Sequence, residues 1–176
     1  MSLEPPPTLD VQIQNPSRYG GLDLRAIRPW IRDLVAELAP TATSFGVRLT
    51  SDRDVRGVNF TYRQRDKSTD VLSFPGALET PRGYSGDDPD ESPSFDDGEI
   101  HLGDVIIAVP TARRQARVAD HDLATELRIL VLHGILHCLG YDHERDDGTM
   151  ERREAELRRQ WLTARSSDNG VMHDVR

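Results

Sequence analysis

The chain has 176 residues and a formal net charge of −8, with 30 acidic and 22 basic residues. This length suits a single domain with a proper hydrophobic core. No apolar run approaches the roughly 18 residues of a membrane span, and the N-terminus lacks the basic and apolar regions of a signal peptide, so neither a membrane nor a secreted protein is expected. The one cysteine, Cys138, excludes an internal disulfide framework and fits a reducing cytoplasm.

Most of the negative charge lies in one segment. Residues 76–100 contain eight acids and one base, a net charge of −7, which leaves −1 for the rest of the chain. Residues 76–99 are rich in Pro, Gly, Ser and acids, and this composition predicts a flexible insertion or a long surface loop. Because the acidity is local, the net charge does not exclude a basic groove elsewhere.

Strands and helices alternate along the first part of the chain. A period of two predicts strands, and apolar stripes with capping residues predict helices, at these places: strands at 11–14, 45–50 and 71–75, and helices at 23–38 and 52–62. Asp23 can cap the first helix, and Pro40 ends it. A charged loop over residues 63–70 separates the second helix from the third strand.

The same alternation continues after the acidic segment. We expect a strand at 102–109 and helices at 110–118, 122–139 and 146–162, with Asp120 capping the second of these helices. Residues 164–176 are predicted to be a polar, frayed tail. The interleaved order indicates one domain over residues 1–176, of the α/β (α+β) class, with a small mixed β-sheet of about four strands flanked by helices.

The helix predicted at 122–139 carries a histidine pattern. His133 and His137 stand four residues apart in an apolar stretch, so a helix places both imidazoles on one face. Gly140 can end the helix in a left-handed turn, after which His143 can point back at the other two rings. One buried histidine is usually an ordinary core residue, but three would leave many ring nitrogens to satisfy. The pattern therefore predicts an open zinc site that keeps a position for water.

Two neighbours of these histidines refine the prediction. Gly134 stands where the HExxH zinc proteases have their general-base glutamate, so peptide hydrolysis by that route is not expected. Cys138 lies about 100° around the helix from His137, which favours core packing over metal binding. A three-histidine site also accepts nickel, cobalt or copper, so the pattern alone leaves the metal open.

Basic residues follow the second predicted helix. Arg63, Arg65 and Lys67 lie in a loop that could overhang the metal, and the planar fork of arginine suits a phosphate oxygen. Such a loop is often only a solvated surface, but an open metal without a glutamate base needs another electrophile. Further basic side chains are either solvated surface charges or parts of a groove for a nucleic-acid backbone: Arg53, Arg56, Arg113, Arg114 and Arg117.

Three segments resemble one known family. The run HGILHCLGYDH at 133–143 resembles the signature of the YbeY family, metal-dependent endoribonucleases that act in ribosomal RNA maturation. Residues 60–75, FTYRQRDKSTDVLSFP, are similar to a second family signature, and the strand beginning LGD at 102–104 is similar to a third. The three occur in the family's order. The first 45 or so residues match only in the layout of elements, and the acidic insertion departs from the compact family pattern.

The resemblance implies a site and a substrate. His133, His137 and His143 match the family's zinc ligands, with one Zn²⁺ per chain, and Arg63 matches an arginine needed for RNA cleavage. The implied substrate is single-stranded RNA, notably at the 3′ end of small-subunit ribosomal RNA. Ribosome quality control and association with the small ribosomal subunit and its assembly factors, including a ribosome-associated GTPase and a small-subunit protein, are implied as well, in the cytoplasm and not at a membrane.

Two aspartates match recurring family positions. Asp142 is interpreted either as an acceptor that orients a ligating imidazole or as a turn aspartate, and Asp104 is a second candidate for the orienting role. Outside the signature, His121 is predicted to be a surface residue at a helix start, and we assign no role to His101.

Two other function classes compete with the nuclease. A different hydrolase, such as a peptidase, would use the same metal with a replacement carboxylate base, and its activity would survive Arg63→Ala. A non-catalytic ribosome-assembly factor would use zinc only to brace the helix and turn, so His137→Ala would unfold the chain and the wild type would cut no RNA. The open coordination position argues against a purely structural zinc.

Overall fold

One mixed β-sheet organises the chain, whose computed structural model describes residues 9–76 and 100–163. The strands are β1 (Asp10–Gln14), β2 (Ser44–Thr50), β3 (Val71–Pro75) and β4 (His101–Ala108). They lie in the order β1-β2-β4-β3; β1 and β2 are parallel, β2 and β4 are parallel, and β3 is antiparallel to β4. The predicted α/β class with a four-stranded mixed sheet is confirmed.

Five α-helices flank the sheet. They are α1 (Leu24–Leu38), α2 (Asp52–Arg63), α3 (Val109–Val118), α4 (Leu123–Cys138) and α5 (Thr149–Arg158). A π-helical turn, Arg159–Thr163, extends α5. The last helix thus begins later than predicted and changes its winding near its end. No helix in these parts of the chain is long and apolar enough to cross a membrane.

The two faces of the sheet carry different layers. Val105 and Ile107 of β4 belong to the main core, which also includes the buried residues of α1 and α4. Ile106 and Ala108 point the other way and join a smaller cluster built around Val55 of α2. Because side chains alternate along a strand, β4 separates the α4 layer from the α2 layer.

Helix α4 is buried almost all round and lies directly against β3 and β4. Its N-cap is Asp122, whose carboxylate accepts the backbone N–H of Thr125 at 2.6 Å. Asp120, the predicted cap, instead occupies the turn before the helix with φ +56°. The predicted cap was wrong by two residues, because both aspartates satisfy the capping pattern and only the chain path selects between them.

Three predictions concern segments that the structure describes in part or not at all. The acidic insertion at 76–99 lies outside the described residues except for Gly76, and the tail at 164–176 lies wholly outside them. The single domain over 1–176 is therefore described for residues 9–76 and 100–163, which share one sheet and one main core.

Candidate metal centre

Three imidazoles converge at the C-terminal end of α4. One ligand atom from each of His133, His137 and His143 lies within 4.8 Å of the others. The ring centroids are 4.7 Å apart for His133 and His137, 5.7 Å for His133 and His143, and 5.2 Å for His137 and His143. The first two rings are half-buried and the third is exposed. The predicted convergence of the three histidines is therefore present.

A local turn brings the third histidine to the other two. Gly140 adopts φ +91°, a conformation that glycine reaches without a Cβ penalty. Its N–H donates to the carbonyl of His137 at 3.0 Å, and the Tyr141 N–H donates to that of Leu136 at 3.1 Å. This pair of bonds is the Schellman motif, which ends α4 and reverses the chain toward His143.

The hydrogen bonds of two rings fix their tautomers. Nδ1 of His133 donates to Oε2 of Glu154 at 3.1 Å, and Nδ1 of His137 donates to the carbonyl of Tyr141 at 3.0 Å. With the ring protons held at Nδ1, both Nε2 atoms present lone pairs, and these two atoms are only 3.1 Å apart. Two facing lone pairs repel unless a cation lies between them. The donor set therefore fits a metal ion bound through Nε2.

The electrostatics favour the neutral form of His137. Burial lowers the pKa of His137 below its ordinary value, and the neighbouring His133 lowers it further. For Glu154, burial alone would raise the pKa, but hydrogen bonds from His133 and Arg158 more than offset it, so the carboxyl stays ionised. A neutral imidazole backed by a carboxylate is the form that binds a metal most strongly.

Glu154 is a site residue that the sequence did not reveal. It lies on α5, is 9% exposed, and uses its other oxygen to accept two bonds from Arg158, at 3.1 and 2.5 Å. The one signal available was a Glu–Arg pair four residues apart on a predicted helix, which is common on solvated surfaces. Only the packing of α5 on α4 brings this carboxylate to His133.

The two aspartates proposed for this role lie elsewhere. Asp142 accepts the backbone N–H of Glu144 at 3.1 Å and lies 3.6 Å from the guanidinium of Arg145, so it is the turn aspartate that was the alternative interpretation. Asp104 lies on the α2 side of the sheet and contacts Nε2 of His101 at 3.0 Å. Neither carboxylate hydrogen-bonds a site histidine within the described ranges.

The cluster holds three protein ligands in residues 9–76 and 100–163, and no fourth side chain of a ligand type completes it there. Cys138 points away: its thiol donates to the carbonyl of Phe74 at 3.9 Å, and burial raises its pKa to about 12. The thiol therefore stays protonated and acts as a core residue, as predicted. Three protein ligands leave a coordination position for water or substrate.

The loop after α2 is held in place by side chains of α2. Asn59 is buried and donates to the carbonyl of Lys67 at 2.7 Å. Arg56 makes two bonds to the carboxylate of Asp66, at 2.6 and 2.7 Å. Gln64 takes the left-handed conformation, φ +53°, that ends the helix. These contacts fix the loop that carries the arginines predicted to overhang the metal.

Arg63 and Arg65 line the cavity that contains the three histidines. This metal cavity, of about 300 Å³, is also bordered by Asp70 and Glu144. Within the described residues, 9–76 and 100–163, neither guanidinium has an ion-pair partner. Arginines that no carboxylate in the described part of the chain neutralises can bind an anion entering the cavity.

Several other basic candidates are engaged within the protein. Arg113 donates to the carbonyl of Gly20 at 2.5 Å, and Arg114 pairs with Asp52 at 2.9 Å. The bidentate pair with Asp66 likewise occupies Arg56. The remaining candidates, Arg53, Lys67 and Arg117, are exposed and lie outside the metal cavity. The structure thus brings Arg63 and Arg65 to the metal centre and gives three other arginines structural contacts.

Gly134 explains why this helix has no glutamate base. A Cβ built on it would lie 2.5 Å from a methyl of Val105 and 3.2 Å from the hydroxyl of Ser73. The position packs directly against the sheet, so a larger side chain there would force its neighbours to move. The missing base is thus enforced by packing as well as by residue type.

The fold and this centre define a small α/β protein with three converging histidines that could hold a metal ion. The model of the family described as Endoribonuclease YbeY matches residues 12–162. This chain belongs to the YbeY endoribonuclease family, as the sequence resemblance indicated.

Individual relatives carry the same description. Endoribonuclease YbeY of Dehalococcoides mccartyi (strain BAV1) is 42% identical over 62% of this chain and 68% of its own length. That of Aquifex aeolicus is 40% identical over 74% of this chain and 76% of its own. The Trichormus variabilis protein is 40% identical, and the match spans 61% of its length. The solution structure of TM1509 from Thermotoga maritima has a TM-score of 0.51 at 22% identity, covering 93% of this chain and all of that one, so it shows the fold.

Proposed function

We propose that this chain is a zinc-dependent endoribonuclease that cleaves single-stranded RNA during ribosomal RNA maturation. Membership of the endoribonuclease family supports the nuclease activity and the RNA substrate. The observation that carries the proposal is the metal cavity, which is lined by three histidines and by two arginines that have no ion-pair partner in residues 9–76 and 100–163. A metal with an open position beside guanidinium groups suits a phosphodiester, whose reaction develops negative charge on phosphate oxygens.

Each residue has a defined part in this proposal. His133, His137 and His143 would hold the zinc, which when bound polarises a phosphoryl oxygen or lowers the pKa of water to roughly 7. Arg63 binds the scissile phosphate and neutralises its developing charge, and Arg65 binds phosphate beside it. Glu154 keeps the Nε2 lone pair of His133 directed into the cavity.

The nucleophile can be identified from the products. Attack by water leaves a linear phosphate end, whereas attack by the 2′-hydroxyl of the RNA leaves a 2′,3′-cyclic phosphate. Mass spectrometry of the new ends distinguishes the two routes, because the cyclic product is lighter by one water.

The biological setting follows from the family resemblance. The substrate would be the 3′ end of small-subunit ribosomal RNA, with a further role in ribosome quality control. The partners would be the small ribosomal subunit and its assembly factors, and the location would be the cytoplasm. Co-sedimentation of the tagged protein with small-subunit precursors, and its loss at high salt, tests this setting.

The decisive experiment is cleavage of a small-subunit RNA precursor. Wild type, Arg63→Ala and His133→Ala are compared after metal content and folding have been measured for each. The proposal requires that the wild type cuts, that Arg63→Ala keeps its metal but loses cleavage, and that His133→Ala loses both. A folded, metal-loaded wild type that cuts no RNA would favour the assembly-factor alternative.

One observation keeps a second hydrolase class in view. Glu144 borders the metal cavity and is exposed, so its carboxylate could act as a base for water. A peptidase or small-molecule hydrolase would then lose activity in Glu144→Gln and keep it in Arg63→Ala. The nuclease has the opposite pattern, so the two variants separate the two classes.

A further inference from the structure

A second cavity adjoins the metal centre, and Arg63 does not line it. Its volume is about 710 Å³, and it shares His133 and His143 with the metal cavity, together with Asp70 and Val71. A ligand-sized space is therefore reached directly from the metal centre. Anything bound there would lie next to the scissile phosphate of a substrate held at the metal.

The floor of this cavity is one stripe of α4. Glu126, Ile129, Leu130 and His133 line it, at the i, i+3, i+4 and i+7 positions that share a helix face. Seven residues of α-helix span about 10 Å, so Glu126 lies that far along the helix from the metal ligand. This span suits a nucleotide whose phosphate lies at the metal and whose base extends toward Glu126.

The charges on its walls favour a base over a phosphate. The guanidinium of Arg114 is paired with Asp52 at 2.9 Å, and that of Arg158 with Glu154 at 2.5 Å. The carboxylates of Asp70 and Glu126 stand on the same walls and would repel an anion. An uncharged, flat ring can instead pack on the apolar side chains of the stripe.

Two hydrogen-bond acceptors line this cavity, and one of them has no donor within the described residues. Gln115 donates its amide to Asp70 at 2.9 Å, and since a carboxylate only accepts, this bond fixes the amide orientation. Its Oε1 is buried and has no hydrogen-bond partner within residues 9–76 and 100–163. Glu126 is 6% exposed and contacts His121 through Oε2, at 3.1 Å. Burial raises the pKa of Glu126, and the charges of His121 and Arg158 lower it only in part.

From these observations we infer that the cavity beside the metal is a nucleobase subsite that selects guanine next to the scissile phosphate, with Glu126 and Gln115 reading its Watson–Crick edge. Guanine presents N1–H and a 2-amino group side by side, two donors for two acceptors. Adenine and cytosine offer one amino donor there, and uracil offers one ring N–H. This inference rests on the proposed ribonuclease function and adds a sequence preference to it. His121, predicted to be only a surface residue, acquires a role in holding Glu126.

The test uses single-stranded oligouridine with one guanosine, inosine or adenosine, cut by the metal-loaded protein. Inosine lacks only the 2-amino group of guanosine. The wild type should cleave beside guanosine with a kcat/KM roughly tenfold above that for inosine or adenosine. Glu126→Gln should lose this preference while still cleaving the inosine substrate. Glu156→Gln, an exposed glutamate on α5 outside the cavity, should keep the preference.

Two outcomes overturn the inference and leave the nuclease intact: equal cleavage beside all three bases, or a guanosine preference that survives in Glu126→Gln. If no RNA is cut at all, the proposed function fails, and the subsite is judged by calorimetric binding of guanosine and inosine monophosphates. Tighter binding of the guanosine form, lost in Glu126→Gln, supports the subsite. Equal affinities overturn it.

Discussion

Nδ1 of His133 lies 3.1 Å from Oε2 of Glu154, and this contact joins the end of the metal helix to α5. The carboxylate has its other oxygen bound to Arg158, so it cannot rotate freely. Such an outer partner fixes the ring orientation and raises the basicity of the ligand. The metal centre therefore depends on a residue that touches no metal.

Removing this carboxylate should weaken metal binding. We expect Glu154→Ala to lower the affinity for Zn²⁺ roughly 10- to 100-fold, and Glu154→Gln to lower it less, because its amide oxygen can still accept the Nδ1 proton. Competition with a chromophoric chelator measures the affinity. Glu156→Gln, two residues along the same helix and exposed, is the control and should bind zinc as the wild type does. An unchanged affinity in Glu154→Ala would refute the orienting role.

Loss of the Arg63 guanidinium should lower the rate of RNA cleavage and leave metal binding unchanged. Arg63→Ala is expected to lower kcat for RNA cleavage roughly 100- to 1000-fold, the usual effect of removing one group that stabilises transition-state charge. Arg63→Lys should recover part of it, because a lysine keeps the charge without the planar fork. Arg25→Ala, an exposed arginine on α1, is the control. A drop in metal content equal to the drop in rate would point to misfolding instead.

Removing an arginine of the metal cavity should change the salt dependence of RNA binding, whereas removing an arginine engaged within the protein should not. Arg65→Ala should reduce the slope of log affinity against log salt by about 0.7, the effect of one phosphate contact with a single strand. Arg113→Ala should leave that slope unchanged and lower stability instead, because Arg113 binds the Gly20 carbonyl and lies over Tyr19. Filter binding at several salt concentrations, with urea unfolding of each variant, checks both expectations. RNA binding that is insensitive to salt would contradict the phosphate role.

Two glycines in helices should respond in opposite ways to alanine. Gly134→Ala places a methyl 2.5 Å from Val105 and should destabilise the fold by roughly 1–3 kcal/mol. Gly57→Ala, in exposed α2 with no atom within 4 Å of the added Cβ, should stabilise it by roughly 0.5–1 kcal/mol. Urea unfolding of the pair removes the common effect of helix propensity. Equal shifts would mean that α4 does not approach β4 this closely.

The cap of α4 should be visible in the pH dependence of stability. Asp122→Ala is expected to lower the free energy of unfolding by about 1 kcal/mol at pH 7, and Asp122→Asn by much less, since asparagine also caps. Hydrogen bonds from Thr125 lower the pKa of Asp122 below 3.8, despite opposing burial.

A carboxyl whose folded pKa is depressed stabilises the fold above its unfolded pKa. This stabilisation disappears as the pH falls through the folded value. The stability of the wild type should therefore fall toward that of Asp122→Asn below about pH 4. Asp120→Asn should change the free energy of unfolding little at any pH, because asparagine tolerates the left-handed conformation and Asp120 does not cap the helix. A larger loss at Asp120 than at Asp122 would reverse the cap assignment.

Local sequence patterns were enough to predict the features that depend only on neighbouring residues. The spacing of His133 and His137 places both rings on one helix face, and Gly140 ends that helix, because helical period and left-handed turns are local properties of the chain. The order of strands and helices and the family signatures followed from the same kind of pattern. The exclusion of a glutamate base at Gly134 was also readable from the residue alone.

Contacts between residues that are far apart in sequence became known only from the packing of the helices and strands. Glu154 lies 21 residues from His133 in sequence and reaches it only because α5 packs on α4, which no local period encodes. Asp104 lies on the α2 side of the sheet and not on the α4 side, where the three histidines are. The sequence could not predict this, since it does not show which helices cover each face of the sheet. Arg113 donates to a carbonyl 93 residues away, so the sequence did not reveal that this side chain is engaged within the protein. Contacts between elements set the surroundings of the three histidines, whereas the helix and the turn that ends it bring the three rings together.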